Sequence, residues 1–317
     1  MGAGKSTPCL EPCATISEKE AIHDVSFSSD GRLATAGGDK TAKVYGADGT
    51  LQFTCEGHEG FVNSVRFSRD ARFLVTSSQD KTARIWDARD GKETTVLGPG
   101  GDDEDGHTNV VTCCDISSDD AMVLTASHDR TACLWDADTG ALRTTIKGHA
   151  KPISSCRFST DGGRIMTGSH DCTAAISDAV TAARITTLEG HTTFVPEGHQ
   201  KIVTGVAFSA DGNNAVTCSE DKTAVIWDIA KREVLQQMKH PKGLSSCAYA
   251  PDGKSIITAG HDQVGRIWDA KTGTCILLLK GHTKALNSCA FSSDGTRAAT
   301  AGMDGRVLVY DLPSKPA

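Results

Sequence analysis

No run of apolar residues in this sequence approaches the roughly 18–20 that a membrane-spanning helix requires. No apolar segment follows the first residues as a secretory signal would. Basic clusters are missing too. Thirty-three Lys and Arg stand against 40 Asp and Glu, a formal net charge of −7, and aromatic residues make up 5% of the chain. Nucleic-acid-binding surfaces rest on basic patches and stacking aromatics, so nucleic acid is not an expected partner. Cysteine is plentiful, with 12 in 317 residues, but no two stand in CxxC spacing. Zinc ribbons and fingers depend on that spacing, and no metal or cofactor is expected.

What the chain does have is a grid. Aspartates stand at 39, 80, 129, 171, 221, 262 and 304, with spacings of 41, 49, 42, 50, 41 and 42. Six residues after each comes Tyr45, Trp86, Trp135, Ser177, Trp227, Trp268 or Tyr310, so all four tryptophans share one slot. Twenty-two residues before each of the last six aspartates stands a histidine: His58, His107, His149, His199, His240 and His282. One unit copied seven times overrides the two domains that length alone would allow.

The unit reads GH, an apolar strand ending in F-S-x-D-G, a second strand, D-K-T, then I-W-D, as in "GHEGFVNSVRFSRD…SSQDKTARIWD". It resembles the WD40 repeat family, whose repeats each form a four-stranded blade. The resemblance covers nearly everything after residue 17. It implies an all-β, seven-bladed propeller over 10–312, between a flexible tail at 1–9 and a short tail at 313–317. The seventh repeat ends at "LPSKPA" with only three strands, so the stretch near Leu10–Ser17 is expected to complete that blade and close the ring.

The resemblance also implies a buried hydrogen-bonded chain in each blade. Carried over by position, three sets are complete: His58, Ser78, Asp80, Trp86; His107, Ser127, Asp129, Trp135; and His199, Ser219, Asp221, Trp227. Blade 4 has Ser177 in place of Trp. Blades 1, 6 and 7 have Gly37, Gly260 and Gly302 in place of Ser, and blade 1 has Glu18 in the histidine slot. Blades 1 and 4 depart most. Cys114, Cys156, Cys247 and Cys289 share a slot that holds Val65 and Val206 in blades 2 and 5. Cys alternating with Val reads as a small buried hydrophobe in a reducing, cytoplasmic compartment.

Two connections, 98–105 and 191–198, are about eight residues longer than the rest. They are read as surface loops, with the acidic run Asp102–Asp105 a second candidate for docking a basic partner. The opening MGAGKST lacks the leading glycine, strand and helix of a phosphate-binding loop, and it fits M-G-x-x-x-[ST]. Gly2 is thus a candidate for myristoylation and Cys9 for a second acyl group, against an unmodified tail. A membrane is a partner only under the first reading.

No nucleophile and base stand together outside the repeat pattern. The expected function is a non-catalytic scaffold for protein–protein interaction within a multiprotein complex. The alternatives are a structural subunit of a ciliary or microtubule-associated assembly, or a lipid-anchored signalling adaptor. The resemblance places binding on the face carrying the D-K-T turns, through His23, Phe61, Asn63, Gln79, His128, His170, Ile202, Glu220, His261 and Met303. The three histidines before the aspartates, in blades 3, 4 and 6, are expected to stand apart.

Overall fold

The computed structural model describes residues 7–98, 106–189 and 199–313. Gly2, the acidic run 102–105 and His191 lie outside the described residues. Every regular element that is described is a β-strand, and the strands fall into seven sheets arranged as blades around a channel. The innermost strands are Ile22–Phe27, Val62–Phe67, Val111–Ile116, Ile153–Phe158, Val203–Phe208, Leu244–Tyr249 and Leu286–Phe291. Each packs against the innermost strand of the next blade, and the last packs against the first. Within a blade all neighbouring strands of the repeat are antiparallel, and chain order runs from the channel outwards.

The core lies between blades. Residues such as Val65, Leu74 and Trp86 of blade 2 pack with Ala34, Val44 and Cys55 of blade 1. The four cysteines of the Val slot, at 114, 156, 247 and 289, are all buried there. Burial pushes their thiols up. All 12 cysteines are free.

The ring closes as the missing fourth strand requires. Ala14–Ser17 pairs antiparallel with Arg306–Asp311, Ile16 opposite Val307. The expectation of a free tail over 1–9 is corrected at its end. Cys9 and Leu10 pair in parallel with Leu278 and Leu279 on the outer edge of blade 6, and the Leu278 N–H donates to the Pro8 carbonyl. An uncovered outer strand offers unpaired N–H and C=O groups, and this short segment takes them up before the chain crosses at Pro12 to blade 7.

The buried chain is complete in blades 2, 3 and 5, and its hydroxyl comes from the residue two positions before the expected serine. In blade 2, Trp86 Nε1 donates to Thr76 Oγ1 at 2.8 Å. The same oxygen lies 2.7 Å from His58 Nε2, and His58 Nδ1 lies 2.7 Å from Asp80. Thr125 and Thr217 fill that role in blades 3 and 5. Ser78, Ser127 and Ser219 end the strand instead. Their hydroxyls accept the N–H of Asp80, Asp129 and Asp221 and donate to loop carbonyls. Both residues share one sheet face, since side chains alternate along a strand, and only the deeper one reaches the indole. Blades 1, 6 and 7 carry the same hydroxyl at Thr35, Thr258 and Thr300, so a glycine in the serine slot does not break the chain.

Blade 1, one of the two most divergent, rebuilds its chain with other residues. Glu18 replaces histidine in blade 1: it accepts from Thr35 Oγ1 at 2.7 Å, Tyr45 Oη at 3.0 Å and Lys43 Nζ at 2.6 Å. Lys43 also pairs with Asp39. In blade 4, which has Ser177 in the tryptophan slot, the Arg184 guanidinium lies over Gly148. Gly148 has φ of 129° and a Cβ there would stand 2.8 Å from Arg184 Nη2. Only glycine suits both conditions. Blade 6 is the true exception. Arg266 takes Asp262 at 2.6 Å, and His240 Nδ1, although buried, has no partner.

Candidate functional site

The residues preceding each repeat aspartate and those early on each innermost strand share one end of the propeller, around the channel mouth. Backbone bonds fix the turns there. The N–H groups of Gln79, His128, His170, Glu220, His261 and Met303 donate to Phe61, Val110, Pro152, Ile202, Gly243 and Ala285 of their own blades. Each pair, apart from that with Gly243, therefore holds two side chains at a fixed separation.

Most of that end is small or polar. Two apolar side chains break the pattern. Phe61 of blade 2 is 41% exposed and Met303 of blade 7 is 52% exposed. Between them blade 1 offers only Ala21 and Gly38 at the rim. The His23 ring tilts against Phe61, with centroids 5.8 Å apart. Burial lowers the basicity of His23 more than neighbouring Asp24 raises it. Gln79, Glu220 and His261 are exposed and Ile202 is half-buried.

Asn63 has a different task from the one expected. Its Nδ2 donates to the Val111 carbonyl of blade 3 at 2.8 Å. The equivalent residues repeat the bond to the next blade: Thr112 to Ile153, Ser154 to Val203, Thr204 to Leu244, Ser245 to Leu286 and Asn287 to Ile22. Six junctions are stitched in this way. Among the described residues the seventh, between blades 1 and 2, has no such bond, because His23 occupies the slot and turns to Phe61.

The histidines are corrected as well. His128 and His170, from neighbouring blades 3 and 4, face one another with ring centroids 5.6 Å apart and planes at 65°. His261 stands alone, with Glu220 and Met303 in the equivalent slots on either side.

Below the mouth lies a charged cluster. Asp24 of blade 1 accepts from Ser64 Oγ and Arg66 Nη1 of blade 2 and from Ser288 Oγ of blade 7, each at 2.6 Å. Burial would raise its pKa, but the two guanidiniums and two hydroxyls hold it below the ordinary carboxylate range. Arg157 Nη1 of blade 4 lies 3.1 Å from Cys113 Sγ of blade 3, and Asp115 accepts the Phe158 N–H at 2.7 Å. A bond from the Cys156 thiol, with Arg157 and Arg66 beside it, sets Cys113 well below the usual thiol range, whereas burial raises Asp115. The cavity above is about 140 Å³. The repeat pattern carried a sign of this cluster. Arg66, Asp115 and Arg157 sit where other blades hold Ser26, Ala207, Ala248 and Ala290.

A closed ring of seven four-stranded blades built from one repeated unit defines a repeat β-propeller. The chain belongs to the WD40 family (WD domain, G-beta repeat), whose sequence profile matches residues 10–46, 49–87, 103–136, 140–178, 183–228, 232–269 and 273–311. Among curated proteins it is similar to Nuclear distribution protein nudF 2 of Aspergillus clavatus, at 41% identity over 61 residues, which is 19% of this chain and 14% of that protein. It is similar to THO complex subunit 6 of Arabidopsis thaliana, at 33% over 89 residues, 27% of this chain and 24% of the relative. It is also similar to Target of rapamycin complex subunit LST8 of Saccharomyces cerevisiae, at 34% over 71 residues, 22% of this chain and 23% of the relative. The chain thus spans less than a quarter of each of these relatives.

Proposed function

We propose that the protein is a non-catalytic scaffold that docks a protein partner at the channel mouth, across blades 7, 1 and 2. The observation that carries this reading is the pair of exposed apolar side chains, Phe61 and Met303, flanking the small surface of blade 1. A few apolar anchors commonly supply most of the energy of an interface. Gln79 of blade 2 and His261 of the adjoining blade 6 border that surface, and the partner is a protein presenting an apolar side chain to the gap between the anchors. The cytoplasm is its proposed compartment.

Two relatives are named as subunits of complexes, the THO and target of rapamycin assemblies, and this supports membership of a multiprotein complex. A cytoskeletal assembly is one form such a complex can take. Lipid anchoring through Gly2 is a separate proposal, decided by the intact mass of the N-terminal peptide.

The test begins with affinity purification to identify a partner, followed by its binding constant for Phe61→Ala and Met303→Ala. Each change is expected to weaken binding by about tenfold or more, as loss of an anchor does. Unchanged affinity in both, with loss on Val180→Asp at the far end of blade 4, would place the interface elsewhere.

A further inference from the structure

We propose that His128 and His170 form a two-imidazole site for a divalent transition-metal ion of the zinc type. The inference goes beyond partner docking and does not depend on it.

Position makes the site. Both histidines immediately precede a repeat aspartate, and both backbones are pinned, by His128 N–H to the Val110 carbonyl and His170 N–H to the Pro152 carbonyl. The two side chains therefore rise from fixed points on adjacent blades. The aspartates beside them are already committed, Asp129 to His107 and Asp171 to His149. Among the described residues neither the His128 nor the His170 ring takes part in a hydrogen bond. Their one ring contact is with each other, and both are half-buried rather than fully solvated.

The spacing suits a shared ion. Zinc binds imidazole nitrogen at about 2.0–2.1 Å in tetrahedral geometry, which sets two ligating rings with centroids about 5 Å apart. The observed separation is 5.6 Å with the planes at 65°. The pair therefore stands close to the separation that a shared ion would set.

Two ligands leave the coordination sphere open. Among the described residues no group of three or more His, Cys, Asp or Glu converges on one point. The Cys172 thiol, next in that turn, is directed to the His170 carbonyl at 3.8 Å. The remaining positions fall to water, or to a donor side chain of a partner lying across the mouth. His261 supplies an internal control, being the same residue in the same slot without a neighbouring imidazole.

The probe is zinc chloride, titrated calorimetrically into the full chain carrying Cys9→Ser and Cys13→Ser, because those two thiols are exposed and would compete. One site in the micromolar range is expected. His128→Gln and His170→Gln should each weaken it by about tenfold or more, as loss of one of two ligands would, and His261→Gln should leave it unchanged. Neither imidazole holds the fold through a ring hydrogen bond, so metal-free thermal midpoints should match in all variants. The proposal is overturned if either neighbouring-histidine variant binds zinc like the parent, if all three variants weaken it equally, or if the parent shows no binding at millimolar zinc.

Discussion

In blades 2, 3 and 5 one hydroxyl serves two buried partners at once, and in blade 2 it belongs to Thr76. Its oxygen accepts from the Trp86 indole and meets His58 Nε2. Thr76→Val keeps the shape and removes both bonds, leaving a buried N–H unsatisfied, at a cost of about 1–3 kcal/mol. Ser78→Ala should cost less, since the turn it supports keeps its backbone bonds. Urea unfolding of the two variants ranks them, and the opposite order would return the role to the serine. The histidine, aspartate and tryptophan of this chain were legible because their spacing is invariant. The hydroxyl was not, because Thr76 and Ser78 share a face and sequence spacing says nothing of depth.

The unpartnered Nδ1 of His240 in blade 6 makes that residue one source of acid sensitivity. Burial, with Arg266 beside it, lowers His240 to about 3, against roughly 6.5 in an unfolded chain. The folded state prefers the neutral ring. Its stability is therefore whole above about pH 6.5 and declines as pH falls towards 3, because the unfolded chain takes up the proton. At pH 4.5 the loss from this residue is about 2–3 kcal/mol. His107 behaves in the opposite sense. Burial lowers it, but bonds to Asp129 and Cys133 raise it to about 9, so its contribution is present below about pH 6.5 and lost as pH rises through 9. Unfolding measured at pH 7 and 4.5 should show a shallower acid decline for His240→Gln than for the parent. Equal declines would remove His240 as the cause.

At the scale of the blade, the innermost strands carry the stitches between neighbours. Asn287→Ala removes a 2.8 Å bond to the Ile22 carbonyl across the closing junction. It should lower stability by about 0.5–1.5 kcal/mol. His23→Ala removes no stitch and should leave stability closer to the parent while weakening partner binding through Phe61. If thermal unfolding shows His23→Ala to be the more damaging of the two, the division between stitch and contact fails. Strand order and blade count could be read from the repeat. The task of Asn63 could not, because the same slot faces both the mouth and the next blade, and a donor side chain reads alike for a partner or for a neighbouring carbonyl. Glu18 shows the same limit. It stands in the histidine slot and rebuilds the chain of blade 1 with an acceptor, so divergence in the signature overstated the weakness of that blade.

For the molecule as a whole, closure rests on the first strands of the chain. Removing residues 1–17 should expose the outer strand Arg306–Asp311 and the Cys275–Leu279 edge together. A fall in thermal midpoint of roughly 5–10 °C, or aggregation through the bared edges, is expected. Removing residues 1–11 should bare only the blade 6 edge and cost much less. Matching midpoints for the parent and the longer deletion would show that the ring holds without its clasp. The channel cluster at Asp24, Arg66, Asp115 and Arg157 was the part of the whole least visible beforehand, since it assembles from four blades and exists only once the ring has formed.

The same pairing has a temporal side. Ala14–Ser17 leaves the ribosome early, yet its partner Arg306–Asp311 follows nearly 300 residues later. At synthesis rates of about 5–20 residues per second, those early strands wait for something on the order of 15–60 s without a mate. Six blades can assemble on their nearest neighbours meanwhile. The last step is a contact of very long sequence separation, the slowest kind to form. A nascent chain stalled before residue 306 should therefore be a protease-sensitive, chaperone-binding species, and release of the finished chain should convert it to a resistant ring in one late step.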